Sequence, residues 1–297
     1  MKKISNLLMM ALLAIGMGLT SCDEMLDNAV DPGVMPTVEE AIMYGFKVTD
    51  LAGVDRTEAV TSLKMSTDDG PIAEAEVSGG KITIKAEKLS GITSAIDFWF
   101  EAEIGGKPYV AKVNIDPKTL SPETPMTLAM ATIGDVILSD GKFAARTSTG
   151  TNVAMIAYLG SSTGVAGNAH AGYAHGLALA LSDEGTMNWS TATGASGAAA
   201  HTPAAPSPMT SSWMLPSQDQ WNKMIDACKN VLGTQNNYQD LRDGFSGIAG
   251  ASNLQSERYW SITEYDSSNA RYYDFGSGYW GFSSEGYKYL VRACLAF

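Results

Sequence analysis

Apolar and polar positions change character several times along the chain. After Met1-Lys2-Lys3 an uncharged apolar run fills residues 7–19. It is too short to cross a bilayer as a helix and has the length of a signal-peptide core. Over 41–130 short alternating runs are divided by turn residues. Lys81-Ile82-Thr83-Ile84-Lys85 alternates cleanly after Gly79-Gly80. Residues 98–104 and 109–115 flank Gly105-Gly106, which predicts a tight hairpin. Residues 127–130 read as a closing strand, and the stretch as a whole reads as a β-sandwich.

Beyond residue 130 the pattern mixes the two periods. Residues 133–142 predict a strand and a turn on Asp140-Gly141, and 153–159 and 176–181 are apolar strands. Residues 184–212 have no periodicity and are expected as a long loop. A helix follows. Ser217 and Gln220 make a capping box, and Trp221, Met224, Ile225, Cys228 and Leu232 share one face before Gly233. A weaker helix covers 238–248, with Leu241, Phe245 and Ile248 inward. Aromatic strands are expected at 259–265, 271–275 and 279–282, and one last strand at 289–297. The fold class is α+β overall: a β-sandwich over 41–130, then an α+β domain over 131–297.

The opening run ends in Leu19-Thr20-Ser21-Cys22, small residues before a cysteine. Residues 1–21 are therefore expected to be a lipoprotein signal peptide, with Cys22 the lipid-bearing residue and 22–40 an acidic tether with Pro32 and Pro36. Two or more acyl chains give stable anchoring where one does not. Asp23 and Glu24 stand directly after that cysteine. Acidic residues there accompany surface export in Bacteroidetes lipoproteins, so the expected location is the outer membrane, facing outward.

Charge narrows the partners. The chain has 20 basic and 32 acidic residues, a net charge of −12. Nucleic-acid binding and charge-driven docking on anionic lipid are excluded as expectations. Cys228 and Cys294 remain once Cys22 is lipidated. Export permits a disulfide between them, worth roughly 4 kcal/mol in the chain-entropy model, and two buried thiols are the other reading.

Two resemblances extend this reading. The lipobox, the 98–115 hairpin and the 120–130 strand resemble the fimbrillin-like lipoproteins of Bacteroidetes, which implies transthyretin-like sandwiches and fimbrial subunits as partners. Fimbrillins are processed after an arginine; Arg56 is the only arginine in this half and is not taken as a cleavage site. An immunoglobulin-like spacer fits the same pattern. In the other half, Trp213-Met214-Leu215-Pro216-Ser217 with Trp221, Tyr259-Trp260-Ser261-Ile262-Thr263-Glu264-Tyr265, 272–275, and Val291-Arg292-Ala293 through Phe297 form a series. It resembles the Fibrobacter major paralogous domain and the C-terminal domain of Legionella collagen-like proteins. That resemblance implies a C-type-lectin-like fold, distantly shared with formylglycine-generating enzyme. It also implies a disulfide from helix to terminal strand, Cys228 to Cys294.

Fold does not carry chemistry; sites do. The chain lacks the Glu-Pro-Asn or Gln-Pro-Asp and Trp-Asn-Asp sequences of calcium-dependent sugar binding. His170, His175 and His201 do not make a zinc set by spacing, and no serine sits in a nucleophile elbow. No catalytic residue, metal or cofactor is expected. What remains is aromatic. Tyr265, Tyr272, Tyr279, Trp280 and Tyr287, with Arg271, are the expected ligand contacts, and Glu264, Asp266 and Asp274 are nearby polar groups. Trp221, Trp260 and Phe275 are expected in the core. The function read from this is a non-catalytic adhesion or binding protein for glycan or protein ligands, including a fimbrial accessory or tip subunit. The alternatives are an enzyme on the formylglycine-generating-enzyme-like fold and a structural pilus subunit.

Overall fold

Strand alternation builds the N-terminal half of the computed structural model, which describes residues 41–160 and 173–297. The signal peptide, Cys22, the tether and His170 lie outside the described residues. β1 (Met43–Asp50), β2 (Val60–Thr67), β3 (Gly70–Glu74), β4 (Glu76–Ser78), β5 (Lys81–Lys85), β6 (Ile96–Ile104), β7 (Lys107–Ile115) and β8 (Met126–Thr132) join in the order β3-β2-β6-β7-β8-β1-β5-β4. β8 is the pivot. Met126 to Met130 run parallel to β1, while Ala131 and Thr132 pair with β7. The sheet thus closes over itself like a sandwich. Phe46, Val48, Ile82 and Leu128 on one side meet Leu63, Met65, Phe98 and Phe100 on the other. The expected hairpin is the β6–β7 pair, with Ile104 opposite Lys107. Gly105 and Gly106 both have positive φ, 58° and 76°, as a type I′ turn requires.

The C-terminal half has two five-stranded sheets with helices between and around them. β9 (Val136–Leu138), β10 (Phe143–Ala144), β11 (Asn152–Leu159) and β12 (Gly176–Ala180) come first. β13 (Gly185–Met187), α1 (Trp189–Thr193), α2 (Gln218–Cys228) and α3 (Tyr238–Arg242) follow. The chain then forms β14 (Arg258–Asp266), β15 (Asn269–Asp274), β16 (Tyr279–Ser284), β17 (Tyr289–Val291) and β18 (Cys294–Ala296). The inner sheet runs β10-β9-β11-β12-β18 and the outer sheet β13-β17-β14-β15-β16. The capping box at Ser217 and Gln220 is formed. The helix ends at Cys228, short of Gly233, because Lys229 leaves helical geometry and Asn230 turns left-handed at φ 55°. α2 touches both sheets. Trp221 Nε1 donates to the Trp260 carbonyl at 3.3 Å, and Cys228 Sγ to the Ala157 carbonyl at 3.3 Å.

Three expectations are corrected. The stretch 184–212 is not a plain loop: it holds β13, α1 and a 3-10 turn at Ala198–Ala200. His201 follows that turn, buried against Trp213 and paired with Glu184. The last strand is two strands, β17 in the outer sheet and β18 in the inner. Arg292, fully buried, sits at the break. Third, Cys228 and Cys294 are free buried thiols, not a disulfide. The reason is strand order: Cys228 sits over β11, whereas Cys294 is on β18, with β12 between them. Two strand spacings are about 10 Å, beyond the Cα separation a disulfide spans. Burial pushes both thiols up, which keeps them protonated.

Residues 41–297 form one compact unit, and aromatic rings join its two cores. Trp99 on β6 packs into the C-terminal core. Its ring stacks on His175 at 4.0 Å and lies 6.5 Å from Phe297. His175 Nδ1 is 2.7 Å from Glu101 Oε1 on the neighbouring half.

Candidate ligand surface

The outer sheet carries its aromatics on two faces, and the pairing register decides which goes where. Tyr259 opposite Tyr273, and Tyr273 opposite Trp280, set one face. It packs on α2: Tyr259 and Phe275 lie against Trp221, and Trp280 Nε1 donates to Asn222 Oδ1 at 2.8 Å. Burial pushes the Tyr273 phenol up to about 12. Trp221, Trp260 and Phe275 are core residues, as expected.

Beyond the helix the same face continues into solvent. Arg271 is paired with Phe282 across β15 and β16. Tyr265 on β14 leans over to stack on Phe282, centroids 4.0 Å apart and planes at 13°. The Arg271 guanidinium lies 4.4 Å from the centre of the Tyr265 ring. Tyr265 is 45% exposed and Phe282 50%.

The opposite face is organised around Trp260. Tyr289 packs on it at 4.5 Å, and Tyr272 lies 5.0 Å from Tyr289. The Tyr272 ring crosses β16 over Gly281, where a β-carbon would meet it at 2.3 Å; a glycine leaves that space open. Arg258 lies over Tyr272 at 4.9 Å, donates to Tyr289 Oη at 3.1 Å, and stands 3.6 Å from Asp274. Its hydrogen bond to Tyr289 holds the guanidinium above its usual range. Tyr289 Oη is 3.1 Å from Ser283 Oγ. Tyr279 and Tyr287, 73% and 63% exposed, sit at the margins of this cluster.

The six expected contacts therefore do not form one site. Tyr265 and Arg271 stand together, with Phe282 as a third member that sequence reasoning missed. Trp280 is tied down on α2. Tyr272 is part of the Trp260 cluster, with Arg258 and Tyr289 also missed. Tyr279 and Tyr287 are exposed apart from the stack. The signal for Phe282 was present: it stands two residues after Trp280 on one strand, hence on the same face. Of the acidic neighbours, Asp266 accepts from Ser268 N and Asn269 Nδ2, and Asp274 from Gly276 N and Ser277 N, so both serve turns.

Concavities lie elsewhere. One of about 820 Å³ runs beside β1 and β5, lined by Arg56, Lys81 and Pro125 among others. Arg56 itself is clamped by Asp50 at 2.7 Å. Another of about 570 Å³ lies between the halves, lined by Asp68, Trp99, Glu101, Lys112 and His175. Its polar groups already have partners: Glu101 has His175, Asp68 accepts from Trp99 Nε1, and Lys112 is 3.6 Å from Asp97.

No protein-family model and no curated protein matches the chain. Among solved structures, it is similar to a fimbrial protein from Bacteroides ovatus, with 13% identity and a TM-score of 0.41, over 86% of this chain and 69% of that chain.

Proposed function

We propose that the protein is a surface-anchored binding protein, held by lipid at Cys22, that takes a glycan or protein ligand on the exposed aromatic edge of its outer sheet. One observation carries the reading. Of the six exposed large apolar side chains among the described residues, four (Tyr265, Tyr279, Phe282 and Tyr287) belong to this sheet and its turns. Solvent-facing aromatics beside an arginine have the composition of binding hot spots. The stacked pair Tyr265 and Phe282 is the contact; the Trp260 cluster is its scaffold.

The test is a glycan and host-protein array probed with the full chain and with a Tyr265→Ala, Phe282→Ala double variant. Losing hot-spot rings costs about 2 kcal/mol or more of binding, so the variant's signal should fall by over tenfold. Array binding untouched by the double substitution sinks this assignment.

A further inference from the structure

Six arginines occur in the chain, and all fall among the described residues. Arg56, Arg242, Arg258 and Arg292 each face a carboxylate, and Arg146 donates to the carbonyls of Gly244 and Ser246. Arg271 is different. Among the described residues it has neither a hydrogen bond nor an ion pair; its contact is the ring of Tyr265. An aromatic face orients this guanidinium, and its five N–H donors are left to solvent. In a chain of net charge −12, this cation stands beside two half-exposed stacked rings with its donors uncommitted.

We infer that the Arg271–Tyr265–Phe282 stack is a subsite for a pyranose carrying a carboxylate, a sugar of the uronic- or sialic-acid type. This rests on the reading of the outer sheet as the binding surface. The guanidinium fork matches a carboxylate with two parallel hydrogen bonds. The exposed rings offer an apolar surface to the C–H face of the sugar. Size points to a small ligand: a stable protein interface engages about 20–30 residues on each partner, and the stack has three. Of the two other exposed aromatics of the sheet, Tyr279 falls on the face of β16 opposite Phe282, and Tyr287 stacks on Tyr289 in the Trp260 cluster. Charge excludes a long polyanion, which the acidic protein repels, while leaving one carboxylate at one arginine favourable.

The experiment is a ligand titration of the full chain, followed by NMR saturation transfer. The probes are methyl glucuronide, the methyl glycoside of N-acetylneuraminic acid, neutral methyl glucoside and a glutamate-rich peptide. Both acidic glycosides should bind about tenfold or more tightly than methyl glucoside, with salt weakening them. Arg271→Gln should remove that preference and Arg271→Lys restore part of it, with the thermal midpoint unchanged because the side chain is not in the core. Equal binding of acidic and neutral glycosides, or a preference that survives Arg271→Gln, overturns the inference. So does tighter binding of the peptide than of either acidic glycoside. If the double ring variant still lowers array binding while no acid preference exists, this inference alone fails. If that variant leaves array binding intact, the surface itself has been misassigned.

Discussion

At the scale of single residues, Arg292 ties together three separate segments of the C-terminal half. Its Nε is 2.7 Å from Asp183 Oδ1, and its other nitrogens donate to the carbonyls of Ala180 at 2.9 Å and Ser252 at 3.2 Å. Asp183 also accepts from Tyr259 Oη at 2.9 Å. A buried cation with all three nitrogens engaged is stabilising only while its partners are in place. Removing it strands a largely buried carboxylate, which costs about 3–5 kcal/mol. Arg292→Met should lower the unfolding free energy measured by urea titration by that much, and adding Asp183→Asn should recover part of it. Unchanged stability in Arg292→Met would show that the pair is not formed. The Val-Arg pair in the sequence pointed to a closing strand; its use as a buried anchor was not legible, because a charged residue in an apolar run says nothing of its partners.

At the scale of elements, the connection from α2 to α3 is built around Asp240. Its carboxylate accepts from the backbone amides of Asn230 at 2.8 Å, Gln235 at 2.9 Å and Asn236 at 3.0 Å. Burial pushes its pKa up, but these amides and that of Asn237 outweigh it and hold the carboxyl below its usual range. The sign follows. With the folded value below the unfolded one, the stabilisation is complete above about pH 4 and is lost as pH falls through the folded value. Asp240→Asn should therefore cost about 1–3 kcal/mol at neutral pH and flatten the acid limb of a stability–pH curve. A variant that keeps the full acid dependence would assign that dependence to other carboxylates. Elements were legible where a local device specifies them: Gly105-Gly106 for the hairpin, Ser217 and Gln220 for α2. They were not legible in 184–212, where β13 and α1 follow from pairing with distant residues such as Leu290 and Ser261. The division of the aromatics between two faces was hidden for a related reason. Composition shows the rings, but register between strands sorts them.

At the scale of the whole molecule, Trp99 couples the halves. It is rooted in the N-terminal sheet by Asp68, yet its ring lies on His175 and near Phe297. Trp99→Ala should cost about 3–5 kcal/mol and divide a single thermal transition into two. One unbroken, merely lowered transition would mean that other contacts, such as those of Val110 and Ala131, suffice for coupling. Sequence placed Trp99 inside a strand, but not at a junction: facing outward from one core and inward to another looks the same in a strand's alternation. The cysteine pairing failed at this scale too. Spacing along the chain does not reveal that β12 intervenes.

The division of residues 289–297 between two sheets also sets an order in time. Every strand of the N-terminal sheet lies within residues 43–132, so a chain emerging from its N-terminus can close that sheet early. Neither C-terminal sheet can be completed until β17 and β18 arrive, more than a hundred residues later. Until then β12 and β14 each lack a neighbour, and such open edges invite pairing with other chains. The first half can thus close as a scaffold before the second is complete, with Trp99 presenting a surface on which the second half packs.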